Sequence, residues 1–60
     1  MLIIMQPQAK EAEIQNVISY VEKQGFTAHV SNGEFQTVIG CVGGKHIDKR
    51  NIELLSGVRE

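Results

Sequence analysis

A disulfide, a basic patch and an aromatic platform are all missing from this chain. Its one cysteine, Cys41, has no partner for an internal bridge, and a 60-residue domain suited to an oxidising compartment ordinarily carries several, so a reducing cytoplasm is expected. Six basic and seven acidic side chains leave a net charge of −1 with the signs interspersed. No electropositive field gathers phosphate backbones or anionic lipid, so neither a nucleic-acid nor a membrane partner is expected. The apolar opening, Met1 to Met5, is halted by Gln6-Pro7, far short of a signal-peptide core or a membrane span. Tyr20, Phe26 and Phe35 are the whole aromatic complement, too few and too scattered for a sheet that stacks RNA bases. Repeats, low-complexity runs and linkers are absent as well, which leaves one domain over residues 1–60.

What is present suits a folded domain of marginal size. Hydrophobic residues make up 42% of the chain and charged ones 22%, too apolar a balance for a disordered tail. A chain this short buries only about 60% of the surface that its unfolded form exposes.

Periodicity divides the chain into elements. Met1–Met5 is apolar without alternation, the pattern of a strand covered on both faces, and Pro7 forbids its continuation. Ile14, Val17, Ile18 and Val21 then fall on one stripe of a helix that starts near Glu11, with Glu13, Gln15, Asn16, Glu22 and Lys23 facing water and Gly25 ending it. Phe26, Ala28 and Val30 alternate with Thr27, His29 and Ser31 as in a strand. Asn32-Gly33 predicts a two-residue type I′ turn into a strand over Phe35–Val42, pairing Ser31 with Glu34 and His29 with Gln36. Gly43-Gly44 closes that strand, Asp48 caps a short helix bearing Ile52, Leu54 and Leu55, and Val58-Arg59-Glu60 opens a further strand.

The order βαββα, with a fourth strand truncated or only begun, is an α+β, ferredoxin-like split βαβ. The third strand is expected between the first and second, with both helices on one face of the antiparallel sheet and the other face bare. If the fourth strand stops at Glu60, the edge of the first strand stays open and seeks a partner. The chain reads as a fragment of something longer.

His29 and Ser31 stand two apart on one strand and so project together from the bare face, near Gly40, which has no side chain to fill the space. An imidazole and a hydroxyl can each donate or accept, which suits the charged groups of an amino acid or a phenol. The plainer reading makes both solvated strand residues. Cys41 shares a side with Ile39 and reads as a buried, inert thiol; His46 reads as a loop residue. Positions 29, 41 and 46 reproduce no compact zinc spacing, so no metal site is expected. Gly43-Gly44-Lys45-His46 lacks the full spacing of a phosphate loop, and Glu11, Glu13 and Glu22 belong to a solvated helix face. No catalytic residue emerges, so the chain is not expected to be an enzyme by itself.

The strand running into Met5-Gln6-Pro7, the helix stripe from Ile14, the run His29-Val30-Ser31-Asn32-Gly33-Glu34 and the strand Thr37-Val38-Ile39-Gly40-Cys41-Val42-Gly43 together resemble one known family. It is the N-terminal, ACT-like regulatory domain of microbial 3-deoxy-D-arabino-heptulosonate 7-phosphate (DAHP) synthases, and the resemblance covers essentially the whole chain. It implies a parent enzyme whose separate (β/α)₈ barrel, with a divalent metal, joins phosphoenolpyruvate to erythrose 4-phosphate in aromatic amino acid biosynthesis. It implies no cofactor in the domain itself. It also implies pairing with a second copy and feedback control of the barrel by tyrosine or phenylalanine bound at His29 and Ser31, with Gly40 beside them. The alternative is a purely structural dimerisation module without an effector. Two features depart from the family's pattern. Gln8 and Lys10 stand where a Gly and a Ser or Thr cap are usual, which weakens the helix start by about 1 kcal/mol, and Phe35 stands where a charged residue is usual.

Overall fold

Side-chain alternation in the strands and the i, i+3, i+4 spacing in the first helix decide which residues meet in the interior. The computed structural model describes residues 1–44 and 48–60. Its elements are β1 (Leu2–Ile4), α1 (Glu11–Lys23), β2 (Phe26–Asn32), β3 (Thr37–Gly43) and α2 (Lys49–Glu53). The strands form one antiparallel sheet in the order β1-β3-β2, the ferredoxin-like arrangement that the sequence predicts.

The core lies on one side of this sheet. Ile14, Val17 and Val21 of α1 and Ile52 of α2 pack onto Ile3, Met5, Ile39 and Cys41, all buried. Full burial of side chains such as Val17, Val21 and Ile39 stabilises by about 1.5–3 kcal/mol each. Both helices therefore sit on the face to which the odd-numbered residues of β1 and β3 point. The opposite face carries Leu2, Ile4, Val38, Gly40 and Val42. The expectation that β1 is covered on both faces fails here, since Leu2 is 70% exposed. An apolar run this short does not distinguish a twice-covered strand from one with a bare aliphatic face.

Helix ends follow local chemistry. Gly25 takes φ +93° and stops α1 as predicted. At the other end, Glu13 Oε1 accepts a hydrogen bond of 2.8 Å from the Lys10 N–H. That is half of a capping box, because a lysine side chain has no acceptor to return. Asp48 caps α2 by accepting from Arg50 N–H at 2.9 Å. Leu54 lies just past α2 and is exposed, while Leu55 packs against the core.

The expected fourth strand begins beside β1. Val58 forms an antiparallel bridge with Met5, the Ile4 N–H donates to the Glu60 carbonyl at 2.7 Å, and the Arg59 N–H donates to the Ile4 carbonyl at 2.8 Å. The outer edge of β1 is thus partly covered rather than left open. Among the described residues, no helix is long and apolar enough to cross a membrane.

The hairpin departs from the two-residue turn. Asn32 pairs with Thr37, and Gly33–Gln36 form the connection, so Phe35 belongs to a loop and not to β3. Neither Asn32 nor Gly33 takes positive φ. Gly33 instead permits a close return of the chain: its N–H donates to the Gln36 carbonyl at 2.8 Å, and a Cβ there would stand 2.7 Å from that oxygen. Asn32 Oδ1 accepts from Thr37 Oγ1 at 3.2 Å, a bond across the mouth of the loop that a two-residue turn could not make.

Candidate functional site

Lengthening the loop moves every pairing along β3 by an even number of residues, and that parity decides the fate of the site. His29 pairs with Gly40 and Ser31 with Val38, in place of the predicted Gln36 and Glu34. A slip of one residue would have turned the two side chains to the helix face; an even slip leaves them on the open one. The correction also improves the geometry, because Gly40 now lies directly across from His29 instead of further along the strand.

Three rows of side chains cross the open face. Thr27 pairs with Val42 in the first. Leu2, Gly40 and His29 make the second, and Ile4, Val38 and Ser31 the third. His29 and Ser31 are exposed and stand about 7 Å apart along β2. Neither side chain has a hydrogen-bond partner among the described residues. A donor-acceptor pair on β2 thus borders an aliphatic strip formed by Leu2, Ile4 and Val38, with a gap at Gly40 between them.

No sequence motif marks Leu2 and Val38. Their facing follows from Ile3 and Ile39, whose burial fixes the parity of β1 and β3, but the unbroken apolar run of β1 concealed it. Phe35, whose facing was open, projects from the hairpin loop with 78% of its surface exposed.

The remaining candidates fall away from this face. Cys41 is a free, buried thiol on the helix side, and burial pushes its pKa up, with a smaller opposing pull from the amino-terminal ammonium. A thiol held protonated is a poor nucleophile, as expected. Because Cys41 and His29 point to opposite faces, they cannot share a metal ion, and the described residues contain no cluster of three metal-capable side chains. Lys45 and His46 lie outside the described residues. A hollow of about 320 Å³ opens between β1 and α2, lined by Ile3, Ile52, Lys49 and Glu60 among others. Leu2 borders it, but His29, Ser31 and Gly40 do not.

Comparison with known proteins places the chain in a family. The family profile described as the DAHP synthase ferredoxin-like domain matches residues 1–60. A phospho-2-dehydro-3-deoxyheptonate aldolase of Thermotoga maritima is 33% identical over 43 residues, which is 72% of this chain and 13% of that protein. The crystal structure of phospho-2-dehydro-3-deoxyheptonate aldolase (DAHP synthase) from Thermotoga maritima superposes with a TM-score of 0.90 at 27% identity, over 98% of this chain and 18% of that one. The chain thus spans less than a fifth of the length of the relatives that it matches.

Proposed function

We propose that this chain, which belongs to the DAHP synthase ferredoxin-like domain family, is the non-catalytic regulatory part of a DAHP synthase and binds an aromatic amino acid, tyrosine or phenylalanine, on its open sheet face. The observation that carries this reading is the unpartnered pair His29 and Ser31, exposed on the uncovered face with Gly40 opposite the imidazole. Ser31 and His29 supply hydrogen bonds to the charged or phenolic end of the ligand, and the gap at Gly40 gives its ring a place.

An open face cannot do this alone. Small-molecule sites bury about 70–90% of a drug-sized ligand, and a single sheet face covers at most one side. A second copy of the domain, brought face to face, supplies the other side. The ligand then binds the paired arrangement better than the separate one and shifts the equilibrium toward it, with a coupling of about 1–3 kcal/mol. In the parent enzyme the pairing obstructs the catalytic barrel, which is feedback inhibition. Calorimetric titration with tyrosine and with phenylalanine tests the reading. Heat of binding that disappears in His29→Ala is expected, whereas no heat and no chemical-shift change at His29 with either amino acid overturns it.

A second reading is a structural dimerisation module without an effector. Its support is the exposed aliphatic surface of Leu2 and Val42, 70% and 61% exposed, on the same face. Sedimentation separates the two: an association that amino acids and His29→Ala both leave unchanged favours the structural module.

A further inference from the structure

An asparagine side chain can be attacked at its amide carbon by the backbone nitrogen of the residue that follows it, and the chain has three asparagines. Asn16 precedes Val17 within α1, and Asn51 precedes Ile52 within α2. In both, a branched Cβ crowds the attacking nitrogen. Asn32 precedes Gly33, which has no side chain to obstruct the approach. Both residues are exposed, at the end of β2 where the hairpin connection begins.

Two hydrogen bonds of the closed connection hold the reacting atoms back. The Gly33 N–H donates to the Gln36 carbonyl at 2.8 Å, which engages the proton that the nucleophile must lose. Asn32 Oδ1 accepts from Thr37 Oγ1 at 3.2 Å. A carbonyl that accepts a hydrogen bond is a better electrophile, but this bond ties the amide to Thr37 on β3 while the Gly33 nitrogen is turned to Gln36. Neither bond belongs to the core. Residues Asn32 to Phe35 are exposed, and the buried cluster reaches no further along β3 than Ile39 and Cys41. The connection can therefore open while sheet and helices stay in place.

We propose that Asn32-Gly33 is a self-modification site that reacts in the folded chain when the hairpin connection opens, with water as its co-reactant. The Gly33 nitrogen loses its proton to solvent base and bonds to the side-chain carbonyl carbon of Asn32. The bond from that carbon to the side-chain nitrogen breaks, ammonia leaves with the proton returned to it, and a five-membered succinimide remains. Water then adds to one of the two ring carbonyls. Opening at the side-chain carbonyl leaves aspartate at position 32; opening at the main-chain carbonyl leaves isoaspartate, with the main chain routed through the former side chain. Either product takes the net charge from −1 to −2. Isoaspartate also adds a carbon to the main chain at the Asn32–Thr37 pair, the last of the β2–β3 ladder, and ends the pairing there.

The test incubates the full chain at neutral and at alkaline pH, with peptide mass mapping for deamidation and a protein-isoaspartate methyltransferase to detect isoaspartate. Asn32 is expected to convert, mainly to isoaspartate, more slowly than in a free peptide of residues 31–36 and faster at the higher pH, while Asn16 and Asn51 stay intact. Thr37→Val removes the hydroxyl and keeps a strand-forming residue, and is expected to speed conversion about fivefold, the equivalent of one hydrogen bond. Urea well below the unfolding transition is expected to leave the rate nearly unchanged. An Asn32 that stays intact while the peptide converts overturns the inference, as does a rate that follows the unfolded fraction through the urea transition. An unchanged or slower rate in Thr37→Val overturns the restraint assigned to its hydroxyl. If Thr37→Val also weakens the fold, the same urea series on that variant keeps local opening and global unfolding apart.

Discussion

Val38 and Ile39 are neighbours in the central strand and point to opposite faces, so truncating each in turn measures whether the sheet has a bare face at all. Ile39 is fully buried in the core, and replacing a buried isoleucine with alanine costs about 2–5 kcal/mol from lost transfer energy and the cavity left behind. A core in a chain of this size supplies only about 3–5 kcal/mol of net stability. Ile39→Ala is therefore expected to leave the domain largely unfolded at 25 °C. Val38 is half-buried on the open face, paired with Ile4 and turned away from the helices. Val38→Ala is expected to cost about 0.5–1 kcal/mol, mostly lost strand preference and partial burial. Urea unfolding followed by far-ultraviolet circular dichroism reads both, provided that the slope stays constant between variants. Equal losses for the two variants would refute the reasoning, because the sheet would then be covered on both faces and His29 and Ser31 would have no open surface to share.

Three further outcomes follow from local geometry. Gly44→Ala places a methyl group 2.9 Å from the Phe26 ring at a φ of +72°, and a loss of about 1–3 kcal/mol is expected in thermal unfolding; an unchanged Tm would contradict that contact. Lys10→Ser completes the capping box with Glu13 and is expected to add about 0.5–1 kcal/mol, visible as a higher urea midpoint, and no gain would show that α1 does not begin where the structure starts it. Cys41 has a pKa raised chiefly by burial, so the folded state holds the thiol proton more tightly than the unfolded state does. Its contribution to stability is then present below the ordinary thiol pKa and is lost as pH rises through the folded value. The parent chain should lose more stability between pH 7 and pH 10 than Cys41→Ala, and identical pH slopes in the two would remove the effect.

The fold was readable because its strongest signals repeat. Four apolar residues at helical spacing, Ile14, Val17, Ile18 and Val21, identify α1, and the alternation from Phe26 to Ser31 identifies β2; each is reinforced at every turn or every second residue. The hairpin connection is not legible from sequence because Asn32-Gly33 is a single dipeptide. A local preference for positive φ, worth little by itself, loses to the register that buries Ile39 and Cys41 against Ile3 and Ala28. The facing of His29 and Ser31 is legible all the same, because parity, not the particular partner, sets it. The partner of His29 was beyond the sequence, since it depends on the number of residues that the loop consumes. Leu2 escaped notice for a different reason: in a three-residue strand with apolar residues at every position, no alternation marks which face is bare.

Separation of duties between the two faces explains how so small a domain could carry a site at all. Of the β3 residues that face the helices, Ile39 and Cys41 are committed to the core, and truncating Ile39 takes most of the available stability. The residues of the open face carry no such obligation: Thr27, His29 and Ser31 can change with little effect on folding, because strand side chains alternate and the helices cover one side only. A recognition surface can thus be altered along β2 and β3 without disturbing the packing a few ångströms beneath it. The constraint on the open face comes instead from solubility, since Leu2 and Val42 expose aliphatic surface to water on an otherwise near-neutral chain. That exposure is unfavourable in a lone domain and becomes favourable when another surface closes over it.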